Sequence, residues 1–183
     1  MKRTLPPLIS QNIRNKTYFL IYGEAATGKT HIAYEVYLYA RSIGLNPVML
    51  ATEPGTITFL EAVGEDFTEI LNLDELAKQV TYYAGLKRYI IIDSINWHYR
   101  ESPGPRHGKF VAYISAILRE KGGFATAQVS GKDLEPSGAP YLIPWVNALG
   151  LTKREGDIYL IELQKPIKKL YGFRIRGTRL EWL

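Results

Sequence analysis

The stretch Tyr18-Phe-Leu-Ile-Tyr-Gly-Glu-Ala-Ala-Thr-Gly-Lys-Thr30 constrains the fold more than any other part of the chain. An apolar run of strand length passes into a loop bounded by two glycines and then into a helical pattern. Gly23, Glu24, Ala25, Ala26, Thr27, Gly28, Lys29 and Thr30 fit G-x-x-x-x-G-K-[ST] at every fixed position. They do so in the strand-to-helix context that gives the motif its meaning. Glycines let the chain wrap closely, so that successive backbone N–H groups and the positive end of the helix face the β- and γ-phosphates of a nucleotide. Lys29 adds a point charge, and the Thr30 hydroxyl suits Mg²⁺. The octet therefore reads as a phosphate-binding loop, against the plainer alternative of a glycine-rich turn.

The remaining composition narrows the chemistry. With 183 residues, 46% of them hydrophobic and 22% charged, the chain is expected to form one α/β domain over residues 1–183, led in by an extended segment over 1–16. The absence of cysteine excludes disulfides, thiolate zinc sites and cysteine nucleophiles, and three scattered histidines leave little for a transition metal. Any metal is then expected to be a hard cation that arrives with phosphate. No signal-like leader and no run of about 18 apolar residues is present, so a cytoplasmic protein without membrane contact is expected. The net charge of +5 is unevenly spread. Residues 53–78 hold seven acidic side chains and one basic, whereas 97–132 hold six basic and two acidic, and 151–183 eight and four. Basic regions flanking an acidic one suit a surface that meets a polyanion.

Read in order, residues 17–22 form a first strand whose continuous apolar character marks a centre covered on both faces. A helix from Lys29 carries Ile32, Val36, Ala40 and Ile43 on one side and stops near Gly44. Strand 47–51, helix 57–63, strand 69–71 and a helix N-capped by Asn72, with Glu75 three residues on, follow. Tyr89-Ile-Ile-Ile-Asp93 is the clearest buried strand. Residues 100–108 read as a loop rich in proline and glycine, ahead of a helix through Val111, Ile114, Leu118 and Lys121. Strand 124–129 leads to a second long loop over 130–144. Segments 157–163, 171–176 and 178–182 alternate as antiparallel edge strands do. The fold class expected is α/β with a doubly wound, mainly parallel sheet, antiparallel C-terminal edge strands and the ligand at the carboxyl ends of the strands.

Two carboxylates and an amide stand at such strand ends. Asp93 closes a buried strand, where a carboxylate holds Mg²⁺ through water or through Thr30 if its strand lies beside the phosphate loop. Glu53 leaves the second strand, suited to orient a water for attack on the γ-phosphate. Gln128 ends the last core strand, where an amide can sense that phosphate and pass its loss to the following loop. A turn-capping aspartate, a solvated glutamate and a surface glutamine are the alternatives.

Gly23 to Thr30, Thr52-Glu53 with Gly55-Thr56 behind it, Ile90-Ile-Ile-Asp-Ser94 and Gln128-Val129 together resemble, in order and spacing, the core ATPase of RecA-like recombinases. The nearest likeness is to archaeal RadA paralogues, over residues 17–176. The resemblance implies ATP and Mg²⁺ as cofactors and recombination or repair as the process. It also implies Glu53 as the catalytic glutamate, Asp93 as the Walker B aspartate, Gln128 as the γ-phosphate sensor and Lys29 as the catalytic lysine of the loop. Residues 100–108 and 130–144 fall where the family keeps its DNA-binding loops. The chain leaves no room for the family's N-terminal DNA-binding domain and polymerisation segment, so filament formation and strand exchange are not expected.

Nucleic-acid contact, to single-stranded DNA by preference, is expected from Arg100, Arg106, His107, Lys109 and Lys132, with Tyr99, Tyr141 and Trp145 placed to stack bases. A full-length recombinase or further copies of the chain are the partners the resemblance suggests. A small-molecule kinase and an ATP-dependent interaction switch use the same cradle, and both remain alternatives.

Overall fold

The computed structural model describes residues 5–129 and 134–183. The carboxyl ends of its parallel strands define one edge of the sheet, the upper edge, where the glycine-bounded loop over residues 23–30 opens. The strands in chain order are β1 (Tyr18–Gly23), β2 (Pro47–Ala51), β3 (Thr68–Glu69), β4 (Tyr89–Asp93), β5 (Gly123–Gln128), β6 (Ala148–Glu155), β7 (Ile158–Lys165), β8 (Lys169–Arg176) and β9 (Arg179–Trp182). They form one sheet in the order β3-β2-β4-β5-β1-β6-β7-β8-β9. From β3 to β6 the neighbours are parallel, and from β6 to β9 they are antiparallel.

The helices are α1 (Pro7–Arg14), α2 (Lys29–Ser42), α3 (Pro54–Val63), α4 (Leu73–Gly85), α5 (Trp97–Glu101), α6 (Pro105–Lys121) and α7 (Ala139–Leu142), with a 3-10 turn over Ile143–Trp145. They cover both faces of the parallel part. On one face Phe19, Ile21 and Ile91 pack with Ile9 and Ile13 of α1, Ile32 and Val36 of α2 and Leu60 of α3. On the other, Leu20, Ile90 and Ile92 pack with Leu76 and Val80 of α4 and Val111, Ile114 and Leu118 of α6. Successive residues of β1 and β4 serve opposite cores, which is why both read as unbroken apolar runs rather than alternations. None of the described helices is long and apolar enough to cross a membrane.

Several boundaries differ from the sequence reading, and proline explains most of them. The lead-in is not extended throughout: α1 begins with Pro7 at its first position and buries Ile9 and Ile13 one turn apart. Residues 100–108 are largely helical, with Arg100 in α5 and Pro105 opening α6, so only Ser102–Gly104 lies outside helix. From residue 134 the second expected loop contains α7, with Pro140 in its first turn. The first helical turn has no use for the N–H that proline lacks, so these prolines start helices where they had been taken to prevent them. Helix α3 likewise starts at Pro54, and β3 is shorter and earlier than expected. Strand β6 was missed altogether. Gly150 interrupts its apolar pattern, yet a Cβ there would press on Ile161 and Leu163 of β7 at 3.2–3.3 Å, so the glycine serves close approach within the sheet.

The expected N-cap of α4 is present: the Asn72 side chain accepts from the Glu75 N–H at 2.8 Å, and the Glu75 carboxylate accepts from the Leu71 N–H at 2.8 Å. Asn72→Ala is expected to destabilise the protein by about 1 kcal/mol in urea unfolding. Ile91→Ala, which empties a site between β4 and α2, is expected to cost about 3 kcal/mol in the same measurement.

Candidate functional site

At the upper edge, β1 delivers Gly23 and α2 receives the chain at Lys29. Gly28 sits before the helix in the left-handed region, at φ 86°, which glycine adopts without strain. Gly23 has a different reason to lack a side chain, since a Cβ would overlap the Thr152 hydroxyl and carbonyl of β6. Thr27 braces the loop from inside, donating to the Glu24 carbonyl at 2.8 Å and sharing a 2.7 Å hydrogen bond with the Thr152 hydroxyl. The Lys29 ammonium donates to the carbonyls of Gly23 at 3.0 Å and Glu24 at 2.6 Å. Burial lowers its pKa, while the fields of Asp93 and Glu53 act in the opposite sense.

Asp93 stands at the top of β4, but β5 lies between β4 and β1, so the adjacency of strands on which the sequence reading made its role conditional is not present. The carboxylate nevertheless reaches the loop. Its Oδ2 accepts from the Thr30 hydroxyl at 2.7 Å and from the Thr56 hydroxyl at 2.7 Å, and its Oδ1 accepts from Thr126 of the intervening strand. Only 2% exposed, it is surrounded by hydroxyl donors. Hard oxygen groups of this kind suit Mg²⁺, which the Thr30 hydroxyl and the Asp93 carboxylate could hold. Among the described residues no group of three or more His, Cys, Asp or Glu side chains could hold a metal by itself, so phosphate oxygens and water would complete the shell.

Glu53 is the residue before α3, and Gln128 ends β5 in register with Gly23. The Gln128 amide nitrogen donates to both Glu53 carboxylate oxygens, at 3.2 and 3.0 Å. Lys29, Thr30, Glu53, Asp93 and Gln128 thus line one cleft of about 290 Å³, although 99 residues separate the first from the last. A cavity of about 560 Å³ between the C-terminal ends of α4 and α6 contains none of these groups.

Sequence reading missed the residues that organise this cleft. Thr56 and Thr126 orient Asp93, and the patterns of α3 and β5 gave no sign of it. Fully buried Asn96 accepts from the Gln128 N–H at 3.0 Å and donates to the carbonyls of Gln128 at 2.8 Å and Ser137 at 3.0 Å. It ties the end of β5 to the segment that follows. His31 also lines the cleft, with its ring 4.9 Å from that of Phe59.

The expected nucleic-acid residues are only partly gathered. Arg100 lies on α5 with its guanidinium 5.9 Å from the Trp97 ring, close enough for its charge to act on Lys29. Arg106 and Lys109 are exposed on the first turns of α6, and His107 is held there through the Ser102 carbonyl. These turns rise from the same edge as the phosphate loop, but as helix rather than loop. Lys132 lies outside the described residues. Tyr99 and Tyr141 pack on each other with centroids 6.0 Å apart, and Tyr141 also fills the space beside Gly108. Trp145 packs against the core. These rings are engaged in the fold rather than free to stack bases.

Burial lowers the His31 pKa from 6.5, partly offset by a hydrogen bond with the Gly177 backbone. The unfolded chain therefore binds the proton more readily, and the stabilising effect is present above the unfolded pKa and lost as the pH falls below it. In nucleotide-free protein, stability is expected to drop between pH 7.5 and about 5.5, and His31→Gln to flatten that slope in urea titrations.

Compared with known proteins, the chain matches no protein-family model and no curated sequence.

Proposed function

We propose that the chain is a RecA-like, Mg²⁺-dependent ATPase that binds DNA, preferably single-stranded, and assists recombination or repair as an accessory to a larger recombinase. The observation that carries this reading is the convergence of Lys29, Thr30, Glu53, Asp93 and Gln128 on one cleft at the upper edge of the sheet. Adenine as the base, and recombination as the process, rest on the sequence resemblance.

Each group has a role that follows from its chemistry. Backbone N–H groups of residues 24–30 and the Lys29 ammonium bind the β- and γ-phosphates. The Thr30 hydroxyl and Asp93 hold Mg²⁺, which when bound neutralises charge on the phosphate oxygens. Glu53 orients the attacking water and accepts its proton, and the Gln128 amide keeps the carboxylate turned into the cleft. Loss of the γ-phosphate would release Gln128, and the Asn96 hydrogen bonds would carry that change to Ser137. Arg100, Arg106 and Lys109 add positive charge at the same edge, in keeping with a polyanionic partner.

Steady-state ATP hydrolysis with and without single-stranded DNA tests the reading. Lys29→Ala is expected to abolish turnover. Glu53→Gln is expected to lower kcat by about 100-fold or more while ATP binding persists. Undiminished turnover in Lys29→Ala would refute the ATPase, and a silent Glu53→Gln would leave a nucleotide-dependent interaction switch.

A further inference from the structure

The upper edge has a second concave feature, at the antiparallel end of the sheet. Between the β6–β7 and β8–β9 turns lies a notch of about 640 Å³, lined by Arg154, Asp157, Tyr159, Arg174, Ile175 and Arg176. Three arginines and one aspartate are among the residues at its rim, where the two hairpin ends meet. Arg154 is preset: its guanidinium lies 5.2 Å from the Tyr159 ring centroid, and its Nε donates to the Gly156 carbonyl at 3.0 Å. Arg176 makes only a 3.3 Å contact with Glu181, with its side chain 68% exposed. Arg174 is half-buried and has no ion-pair partner among the described residues.

Arg176 is also directly opposite Arg179 across the β8–β9 pair, an arrangement that repels. Arg179 relieves it by turning to Glu35 on α2, at 2.9 Å, which leaves the notch to Arg154, Arg174 and Arg176. Arg174 has no ion pair among the described residues, Arg154 meets only a carbonyl and a ring, and Arg176 has one exposed pairing with Glu181, so the notch keeps net positive charge to which an anion is complementary.

We propose that Arg154, Arg174 and Arg176 form a phosphodiester-binding notch through which a nucleic-acid strand crosses the upper edge beside the phosphate loop. The inference rests on the nucleic-acid part of the reading above and adds a site distinct from α5 and α6. The notch adjoins the cleft: Tyr159 and Phe173 are the groups a Cβ on Gly28 would meet, at 3.4 and 3.1 Å. The nucleotide's own phosphates do not account for it, because the loop over residues 23–30 already spans them. A nucleoside emerging on this side carries no charge to meet three guanidinium groups, whereas a strand carries one negative charge per nucleotide.

The test measures binding of a fluorescent oligothymidylate across a salt series, and of a fluorescent ATP analogue, in the full chain. For Arg174→Gln/Arg176→Gln we expect about tenfold weaker oligonucleotide binding and a log K against log salt slope smaller by about 1.4, two phosphate contacts being lost. ATP-analogue affinity should stay within about twofold of wild type, and Arg174→Lys/Arg176→Lys should keep most of the slope. If the double glutamine variant does not fold, Arg174→Gln alone, at a position with no ion pair to lose, should show about half the slope change. A folded variant with unchanged oligonucleotide affinity and slope overturns the notch while leaving the proposed function standing. Loss of ATP-analogue affinity alone overturns it too, by assigning the arginines to the nucleotide's phosphates. Wild-type protein that binds no oligonucleotide at low salt removes both the notch and the nucleic-acid part of the function.

Discussion

The structure turns on the buried carboxylate of Asp93 and the hydroxyls that hold it. Taking a carboxylate out of water is costly unless its lone pairs are met, and here Thr30, Thr56 and Thr126 meet them. Those threonines belong to α2, α3 and β5, so one side chain at the top of β4 ties its own strand to β5 and to the helices that leave β1 and β2. Hydrogen bonds to a charged group contribute about 1.5–3 kcal/mol each, and they are directional. The same contacts that compensate burial therefore also align the phosphate loop with Glu53.

Around that centre, the parallel strands act as a rigid platform and the polar groups gather at its upper edge. Strand β1 is covered on both faces and flanked by β5 and β6, leaving little freedom to the loop it launches. Thr152 of β6 touches Thr27 and Tyr22, so the strand at which the sheet passes from parallel to antiparallel supports the loop over residues 23–30. The C-terminal hairpins continue this support through Phe173 and Tyr159, whose stacked rings lie against the glycine that opens α2. On the other side, Asn96 fastens Gln128 to residue 137, so that a shift at Glu53 has a hydrogen-bonded path away from the cleft.

Sequence was informative where local chemistry and periodicity agree. The strand–turn–helix over residues 18–42, the Asn72 cap and the apolar strands 47–51 and 89–93 were legible because each needs only neighbouring residues to declare it. It misled at Pro7, Pro105 and Pro140, since proline breaks a helix interior but is at home in the first turn, and composition alone does not tell the two apart. It was silent on β6, because what rewards Gly150 is a neighbouring strand fixed only when the chain folds.

By itself the sequence determined that a strand enters a glycine-bounded turn and a helix leaves it, and that carboxylates and an amide stand at the ends of apolar strands. Periodicity and spacing carry that much because they are local properties of the backbone. Only the tertiary structure decided the strand order, with β5 between β1 and β4, the threonine hydroxyls around Asp93, and the clasp of Gln128 on Glu53. It likewise decided that Arg179 pairs with Glu35 of α2 while Arg154, Arg174 and Arg176 come together at the rim. These contacts join residues tens of positions apart, and their geometry follows from how the two cores close on the sheet rather than from any pattern along the chain.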